Sequence, residues 1–162
     1  MTSGDFDDLY REIILDHYRS PRNRGELESP PAHRVEGFNP LCGDEVVISL
    51  LVEDDRLADL KIGGSGCSIS QSSASLMSSA VKGKSLDEVR ELIHTFKGMM
   101  SIHEALLGKD GEADEPQAID FDRLGELAAL QGVVKFPVRI KCATLSWIAL
   151  AQGLDEVAAG VS

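Results

Sequence analysis

The sequence predicts an α+β fold, in which helices cover one face of a small antiparallel sheet of about three strands. The predicted elements run from a helix to strands and then to further helices, without the strand–helix–strand alternation of a parallel sheet. Two apolar runs separated by a short polar turn are typical of an antiparallel hairpin. The chain of 162 residues has the length of one domain, so we expect a single domain over 1–162.

The first predicted element is an amphipathic helix near the N-terminus. It stops at Ser20, because Pro21 follows. The next segment, 21–40, contains four prolines and two glycines, which favours an extended connection with a short strand around 34–37. The side chains that recur at helical spacing on the apolar face of this helix are Phe6, Leu9, Tyr10, Ile13, Ile14 and His17.

The hairpin is predicted from two neighbouring patterns. Residues 46–52 form a run rich in Val, Ile and Leu, and 53–56 are charged and predict a turn. Residues 58–62 alternate between apolar and polar side chains, which is the period of a half-buried strand. The glycine-rich segment 63–66 then lets the chain turn sharply into a helix.

Helices dominate the rest of the sequence. The helix after Cys67 is expected to end at Gly83, and Ser85 with Glu88 forms a capping box that opens the next one. We interpret 98–122 as an inserted acidic segment, since 109–126 holds seven acidic and two basic residues. Apolar spacing predicts a helix around 124–130, and a last helix is expected to begin at Pro137 and to end at Gly153. The apolar positions of the two middle helices are Ile69, Leu76, Met77, Ala80, Val81, Leu86, Val89, Ile93 and Phe96, followed by Met99 and Met100 as core residues.

Charge and composition exclude several classes of function. The formal net charge of −11 argues against nucleic-acid binding, which needs a basic face. No stretch approaches the ~20 apolar residues of a membrane-spanning helix. The N-terminus shows no secretory signal, so a cytoplasmic location is expected. Arg19, Arg22 and Arg24 form a local basic cluster, which is either a solvated helix end or a surface for partner docking.

The three cysteines are the main candidates for chemistry: core residues, reactive thiols or metal ligands. Cys42 and Asp44 precede a strand at a spacing that directs both side chains to one side of an extended chain. Cys67 lies where the glycine-rich turn enters a helix, so the helix N-terminus would stabilise its thiolate. Cys142 lies near the start of the last helix, where Arg139 and Lys141 would lower its pKa.

Spacing alone does not define a metal site, because separations of 25 and 75 residues resemble no zinc-finger spacing. All three cysteines nevertheless lie at ends of predicted elements, where side chains can converge. Together with Asp44 they would offer four ligands of types that zinc accepts in a tetrahedral site. Other sites are less favoured. The glycines lack the ending of a phosphate-binding loop, no hydrolase motif is visible, and the histidines show no paired spacing. We interpret His17 as a core or rim residue, and His33, His94 and His103 as surface residues.

Four separated motifs resemble the U-type proteins of iron–sulfur cluster assembly, and the similarity runs over about 5–153. Within that superfamily the sequence is more similar to the SUF-type branch, SufU, than to the IscU or NifU scaffolds. Lys141 stands where scaffolds carry a histidine, and segment 98–122 is an addition relative to them. The motifs are Asp16-His17-Tyr18-Arg19-Ser20-Pro21-Arg22-Asn23, Asn39-Pro40-Leu41-Cys42-Gly43-Asp44, Gly66-Cys67-Ser68-Ile69-Ser70 and Phe136-Pro137-Val138-Arg139-Ile140-Lys141-Cys142-Ala143-Thr144-Leu145-Ser146-Trp147.

The resemblance implies an IscU/SufU-like fold and a zinc ion held by Cys42, Asp44, Cys67 and Cys142. It also implies a partner, a PLP-dependent cysteine desulfurase of the SufS type, which forms a persulfide and passes on its outer sulfur. In this family a desulfurase histidine takes over part of the zinc shell and frees the first cysteine, here Cys42, as sulfur acceptor.

We therefore expect a zinc-dependent sulfurtransferase that supplies downstream SUF components, with Arg139 and Lys141 as supporting residues. Two alternatives remain open. One is a scaffold on which a [2Fe–2S] cluster is assembled by the same ligands. The other is an interaction module in which zinc only supports folding.

Overall fold

A computed structural model describes residues 3–28, 32–40, 43–107, 125, 127, 129–130 and 137–159. The fold is α+β, as predicted: within these residues one long helix precedes three strands, and three long helices follow them. In chain order the elements are α1 (Ser3–Arg19), β1 (His33–Asn39), β2 (Asp44–Glu53), β3 (Arg56–Ser65), α2 (Ser68–Val81), α3 (Leu86–Leu107) and α4 (Pro137–Ala158).

The three strands form one antiparallel sheet in the order β1-β2-β3, which confirms the predicted hairpin and the predicted sheet of about three strands, with β1 at one edge. β1 is longer than the predicted strand 34–37 and pairs with β2 along its whole length. Asp54 and Asp55 join β2 to β3 with φ values of 52° and 59°. Positive φ at both central residues is the signature of the tight turn whose twist matches the flanking strands.

The core lies between the sheet and the helices. Alternate residues of β2, namely Val46, Ile48 and Leu50, are buried, as a strand with one packed face requires. α4 packs across β1 and β2, and α2 packs against β3 and α4. The ring of Trp147 on α4 stacks on Phe96 of α3 with centroids 4.2 Å apart, and both side chains are fully buried. Met99 and Met100 are buried, as predicted.

The predicted end of the last helix at Gly153 is wrong, since α4 continues to Ala158. Gly153 is buried, and a Cβ there would lie 2.9 Å from Leu50 Cδ2 and 3.0 Å from Val35 Cγ1. The glycine therefore allows α4 to approach the sheet closely. Close packing therefore explains why a glycine occurs inside α4, where the sequence pattern predicted the end of the helix.

Other boundaries also differ from the sequence prediction. β3 continues through Gly63 and Gly64 to Ser65, because Gly64 adopts a φ of +109° that lets it pair beside the Glu45 carbonyl. α3 extends to Leu107, past the predicted start of the acidic segment, and residues 108–122 lie outside the described residues. Of the predicted helix around 124–130, the described residues 125, 127, 129 and 130 have 3₁₀ geometry. The capping box is confirmed, because the Glu88 N–H donates to Ser85 Oγ at 3.2 Å.

The serine-rich helix α2 is buried between its neighbours and carries hydrogen bonds in two directions. Toward the N-terminal segment, Ser75 Oγ lies 2.7 Å from His17 Nδ1 and accepts from the Arg22 backbone N–H at 2.8 Å. His17 is 3% exposed, which confirms its predicted place on the buried face of α1. Within the described ranges, no helix combines the length and the apolar character needed to cross a membrane.

Candidate metal centre

Asp44 is the first residue of β2, and strand pairing determines its surroundings. Asn39 pairs with Asp44 on one side, while Glu45 pairs with Ser65 on the other. This register places Asp44 beside the end of β3, where the chain enters α2. The Asp44 side chain has no exposed surface. A buried carboxylate must find compensating partners, because its desolvation is costly.

Cys67 is the N-cap residue of α2, as the sequence predicted, and it contacts Asp44 through two groups. The Cys67 backbone N–H donates to Asp44 Oδ1 at 2.9 Å, and Cys67 Sγ lies 3.8 Å from Oδ2. Oδ1 therefore satisfies one of the unpaired N–H groups at the helix start. Cys67 is partly exposed, whereas Cys142, the other described cysteine, is buried.

Cys142 lies near the start of α4 and is fully buried. The ligand atoms of Asp44, Cys67 and Cys142 all lie within 4.8 Å of one another. In a tetrahedral zinc site, a sulfur and an oxygen ligand are separated by about 3.6 Å. The observed separation of 3.8 Å between Cys67 Sγ and Asp44 Oδ2 is close to that value. The structure thus brings together three of the four predicted ligands.

A cation lies beside the two thiols. The coulombic interaction with the Cys67 sulfur, together with a hydrogen bond to it, raises the pKa of Arg139, and Cys142 contributes in the same direction. Arg139 therefore keeps its proton next to the sulfur atoms. Its side chain is exposed, as is that of Lys141. The predicted proximity of Arg139 to Cys142 is observed, and Arg139 also contacts Cys67.

Gly66 has a role that the sequence did not reveal. A Cβ at this position would lie 2.5 Å from both Asp44 Oδ1 and Ser70 Oγ. The absence of a side chain lets the carboxylate approach the N-terminus of α2. The sequence indicated a turn glycine, and no local pattern identifies the partner that it must accommodate.

The residues fit a divalent metal ion. Two thiolates and a carboxylate are ligands that zinc accepts, and the ion would offset negative charge that is otherwise buried. Cys42, the predicted fourth ligand, lies outside the described residues. Pro40 and Gly43, which flank residues 41–42, are described, and the Gly43 N–H donates to the Asn39 carbonyl at 2.8 Å.

Among the residues whose side chains the structure describes, no histidine joins this cluster. His94 is exposed, as predicted, while His103 lies where side chains are not described. The interpretation of His33 as a surface residue is wrong, because its side chain is only 11% exposed and lies 2.7 Å from Glu156 Oε1. A strand residue covered by the end of α4 is buried by tertiary packing, which periodicity does not predict.

The fold and the ligand set define a small α+β protein with a candidate cysteine–aspartate metal site. Residues 9–143 match the family described as NifU-like N terminal domain, and the chain belongs to that family. The resemblance to U-type proteins and the predicted fold class are thereby confirmed.

Curated relatives and a solved structure agree with this assignment. The chain is 42% identical over 158 residues to the zinc-dependent sulfurtransferase SufU of Bacillus subtilis, covering 98% of this chain and 97% of that protein. It is 36% identical to the iron–sulfur cluster assembly scaffold protein IscU of Streptococcus pyogenes, covering 93% and 85%. A putative assembly scaffold protein for the SUF system from Fervidobacterium islandicum is 34% identical, with a TM-score of 0.73 and coverage of 88% and 94%. These comparisons support a role in iron–sulfur cluster assembly.

Proposed function

We propose that this protein is a zinc-dependent sulfurtransferase of iron–sulfur cluster assembly. Cys42 accepts persulfide sulfur from a SufS-type cysteine desulfurase and passes it on to downstream SUF components in the cytoplasm. The observation that carries the proposal is the convergence of the ligand atoms of Asp44, Cys67 and Cys142 within 4.8 Å. The similarity to a protein named as a zinc-dependent sulfurtransferase supports the choice of metal and activity.

The proposed zinc ligands are Cys42, Asp44, Cys67 and Cys142. Cys42 is the fourth because it stands two residues before Asp44, which already lies with the other two. Since the Cys67 N–H engages Asp44 Oδ1, the carboxylate offers Oδ2 to the ion. Zinc in this position keeps cysteines deprotonated at neutral pH and masks their nucleophilicity while they are bound.

The proposed reaction is an exchange between sulfur atoms. The Cys42 thiolate attacks the outer sulfur of the desulfurase persulfide and forms a new S–S bond. The S–S bond to the desulfurase cysteine breaks, and that cysteine leaves as a thiolate, so no external oxidant or reductant is consumed. Arg139, which stays protonated beside the thiols, is placed to stabilise anionic sulfur, and Lys141 adds positive charge at the same end of α4.

Desulfurase stimulation in the absence of iron tests this proposal. Zinc-loaded protein is added to the cysteine desulfurase of the same organism with cysteine, and alanine formation is followed over many turnovers. We expect strong stimulation, which Cys42→Ala abolishes, and mass spectrometry should find one added sulfur atom on Cys42. Ser75→Ala serves as the control, because it alters a buried serine that contacts the N-terminal segment.

A scaffold function is the second candidate, supported by the similarity to IscU proteins. Lys141 weighs against it, since lysine replaces the histidine that scaffolds carry there. Absence of stimulation without iron, together with a stable [2Fe–2S] spectrum after iron and sulfide are supplied, would favour the scaffold. Unchanged sulfur acceptance by Cys42→Ala would remove the acceptor assignment even if stimulation occurred.

A further inference from the structure

Ser73 of α2 joins the two helices that carry the cysteines of the cluster. Its hydroxyl donates to the Ala143 carbonyl at 2.5 Å and accepts from Trp147 Nε1 at 3.1 Å. Ser73, Ala143 and Trp147 are all fully buried. These contacts are separated by 70 and 74 residues in the chain, so they are tertiary links between α2 and α4.

The chemistry of these contacts requires a hydroxyl group. A serine side chain can donate one hydrogen bond and accept another, while an indole N–H only donates. A backbone carbonyl has two lone pairs, so Ala143 can accept from Ser73 as well as within its helix. Ser73 thus satisfies the buried Trp147 N–H and links to the α4 backbone at the same time. An alanine would do neither.

The linked backbone positions are close to the ligands. Ala143 directly follows Cys142, and Cys67 caps the helix that contains Ser73 six residues later. Six residues of α-helix span about 9 Å, so the bond acts less than two turns from the Cys67 end. Trp147 in turn stacks on Phe96, which extends the rigid contact to α3.

We propose that Ser73 is a positioning residue that sets the separation of Cys67 and Cys142 and so determines the geometry at the metal. The inference rests on the metal centre of the proposed function, but not on sulfur transfer. Outer-shell groups that orient ligands commonly change metal affinity by about 10–100-fold. Ser73 acts one step further out, through the backbone next to a ligand, so we expect the lower end of this range.

The absorption bands of bound cobalt(II) report ligand geometry, which a change in stability alone does not alter. A Co²⁺ ion that is bound by thiolates has charge-transfer and d–d bands whose energies and intensities depend on ligand geometry. We expect Ser73→Ala to shift these bands and to release Co²⁺ to a chelator about tenfold faster. Ser75→Ala is the matched control, because Ser75 is an equally buried serine of α2 that contacts His17 and Arg22 instead. Its bands should match those of the unmodified protein.

A double variant separates positioning from general stability. Ser73→Ala leaves the buried Trp147 N–H without its acceptor, and Ser73→Ala/Trp147→Phe removes that donor as well. We expect Trp147→Phe to cost less thermal stability in the Ser73→Ala background than on its own, because it removes the unpaired N–H. The double variant should keep the altered cobalt bands, since the link to Ala143 is still missing. If the bands return to those of the unmodified protein in the double variant, or if Ser75→Ala shifts them equally, the positioning role is overturned.

The test also distinguishes failure of this inference from failure of the metal centre. If the unmodified protein develops no thiolate-to-cobalt bands, the metal centre and the inference are both rejected. If those bands form normally and Ser73→Ala leaves them and the release rate unchanged, only the role of Ser73 is rejected.

Discussion

Two buried polar clusters of this molecule each surround a titratable side chain, and they differ in what that side chain meets. Asp44, fully buried, has its ligand oxygen within 4.8 Å of the thiols of Cys67 and Cys142. His17, nearly as buried, contacts the hydroxyl of Ser75. In the first cluster candidate metal ligands converge from three parts of the fold, whereas in the second hydrogen bonds attach the N-terminal segment to α2. Burial of a titratable group therefore does not by itself indicate a metal site.

The largest effect expected from this comparison is the loss of metal in Cys142→Ser. Removal of an outer-shell partner already costs about 10–100-fold in affinity, so removal of a ligand should weaken zinc binding by more than about 100-fold. Competition with a chromogenic zinc chelator measures this change, with Ser75→Ala as the control. Zinc retention equal to that of the unmodified protein would exclude Cys142 as a ligand.

His17→Ala tests the other cluster and should affect stability instead of metal binding. The substitution removes a buried side chain and its contact with Ser75, which should lower the free energy of unfolding by about 2–3 kcal/mol. Urea unfolding of the zinc-loaded protein measures the loss, while chelator competition under native conditions should be unchanged within about twofold.

The two clusters would not be independent if His17→Ala lost zinc as readily as Cys142→Ser. In that case the hydrogen bonds of α1 would be part of the metal site, and the distinction between the clusters would fail.

The sequence predicted where each candidate ligand lies within its own helix or strand better than it predicted that these side chains meet. The glycine-rich turn correctly placed Cys67 at a helix N-terminus, because this signal is local. That Asp44 reaches Cys67 depends on the pairing of Glu45 with Ser65, and a single sequence does not contain strand register at that resolution. The convergence of Cys142 depends further on how α4 packs across the sheet. The place of Cys42 in the cluster remains a prediction.

Glycines show the same limit. Three glycines that the sequence predicted in turns or at a helix end instead allow elements distant in sequence to approach closely. They are Gly64, Gly66 and Gly153. Gly64 lies against Glu45, Gly66 against Asp44 and Gly153 against Leu50. The residues next to each glycine in the sequence do not indicate these partners. Such residues are identified only when the structure shows what a Cβ would meet.

Gly66→Ala sharpens the comparison by moving only the Asp44 cluster. The new methyl group would lie 2.5 Å from Asp44 Oδ1, so the carboxylate must shift, and we expect zinc release to accelerate about tenfold, as for other groups that orient ligands. Gly98→Ala is the matched control, since a Cβ there meets nothing within 4 Å. It should leave zinc release unchanged and raise stability by about 0.5–1 kcal/mol. Equal release rates for the two variants would contradict the role assigned to Gly66.

The smallest expected effect involves the contact of His33 on β1 with Glu156 near the end of α4. It is a partly buried histidine contact without thiols. The contact with His33, and then the hydrogen bond from Gln152, lowers the pKa of Glu156 below its usual value of 4.5. A carboxyl group with a lowered pKa in the folded state stabilises the fold above its unfolded pKa. This contribution disappears as the pH falls through the folded pKa.

The melting temperature should therefore fall between pH 6 and pH 3 by slightly more in the unmodified protein than in Glu156→Gln, which cannot lose this charge. Because Glu156 lies at the surface, the difference should be about one or two degrees, and salt should reduce it. Thermal melts at several pH values, with Glu12→Gln as a surface control on α1, measure it. If Glu156→Gln and the unmodified protein fall in parallel, the pair contributes nothing to the attachment of α4. The position of Cys142 would then depend on the packing around Ser73, Trp147 and Gly153 rather than on this ion pair.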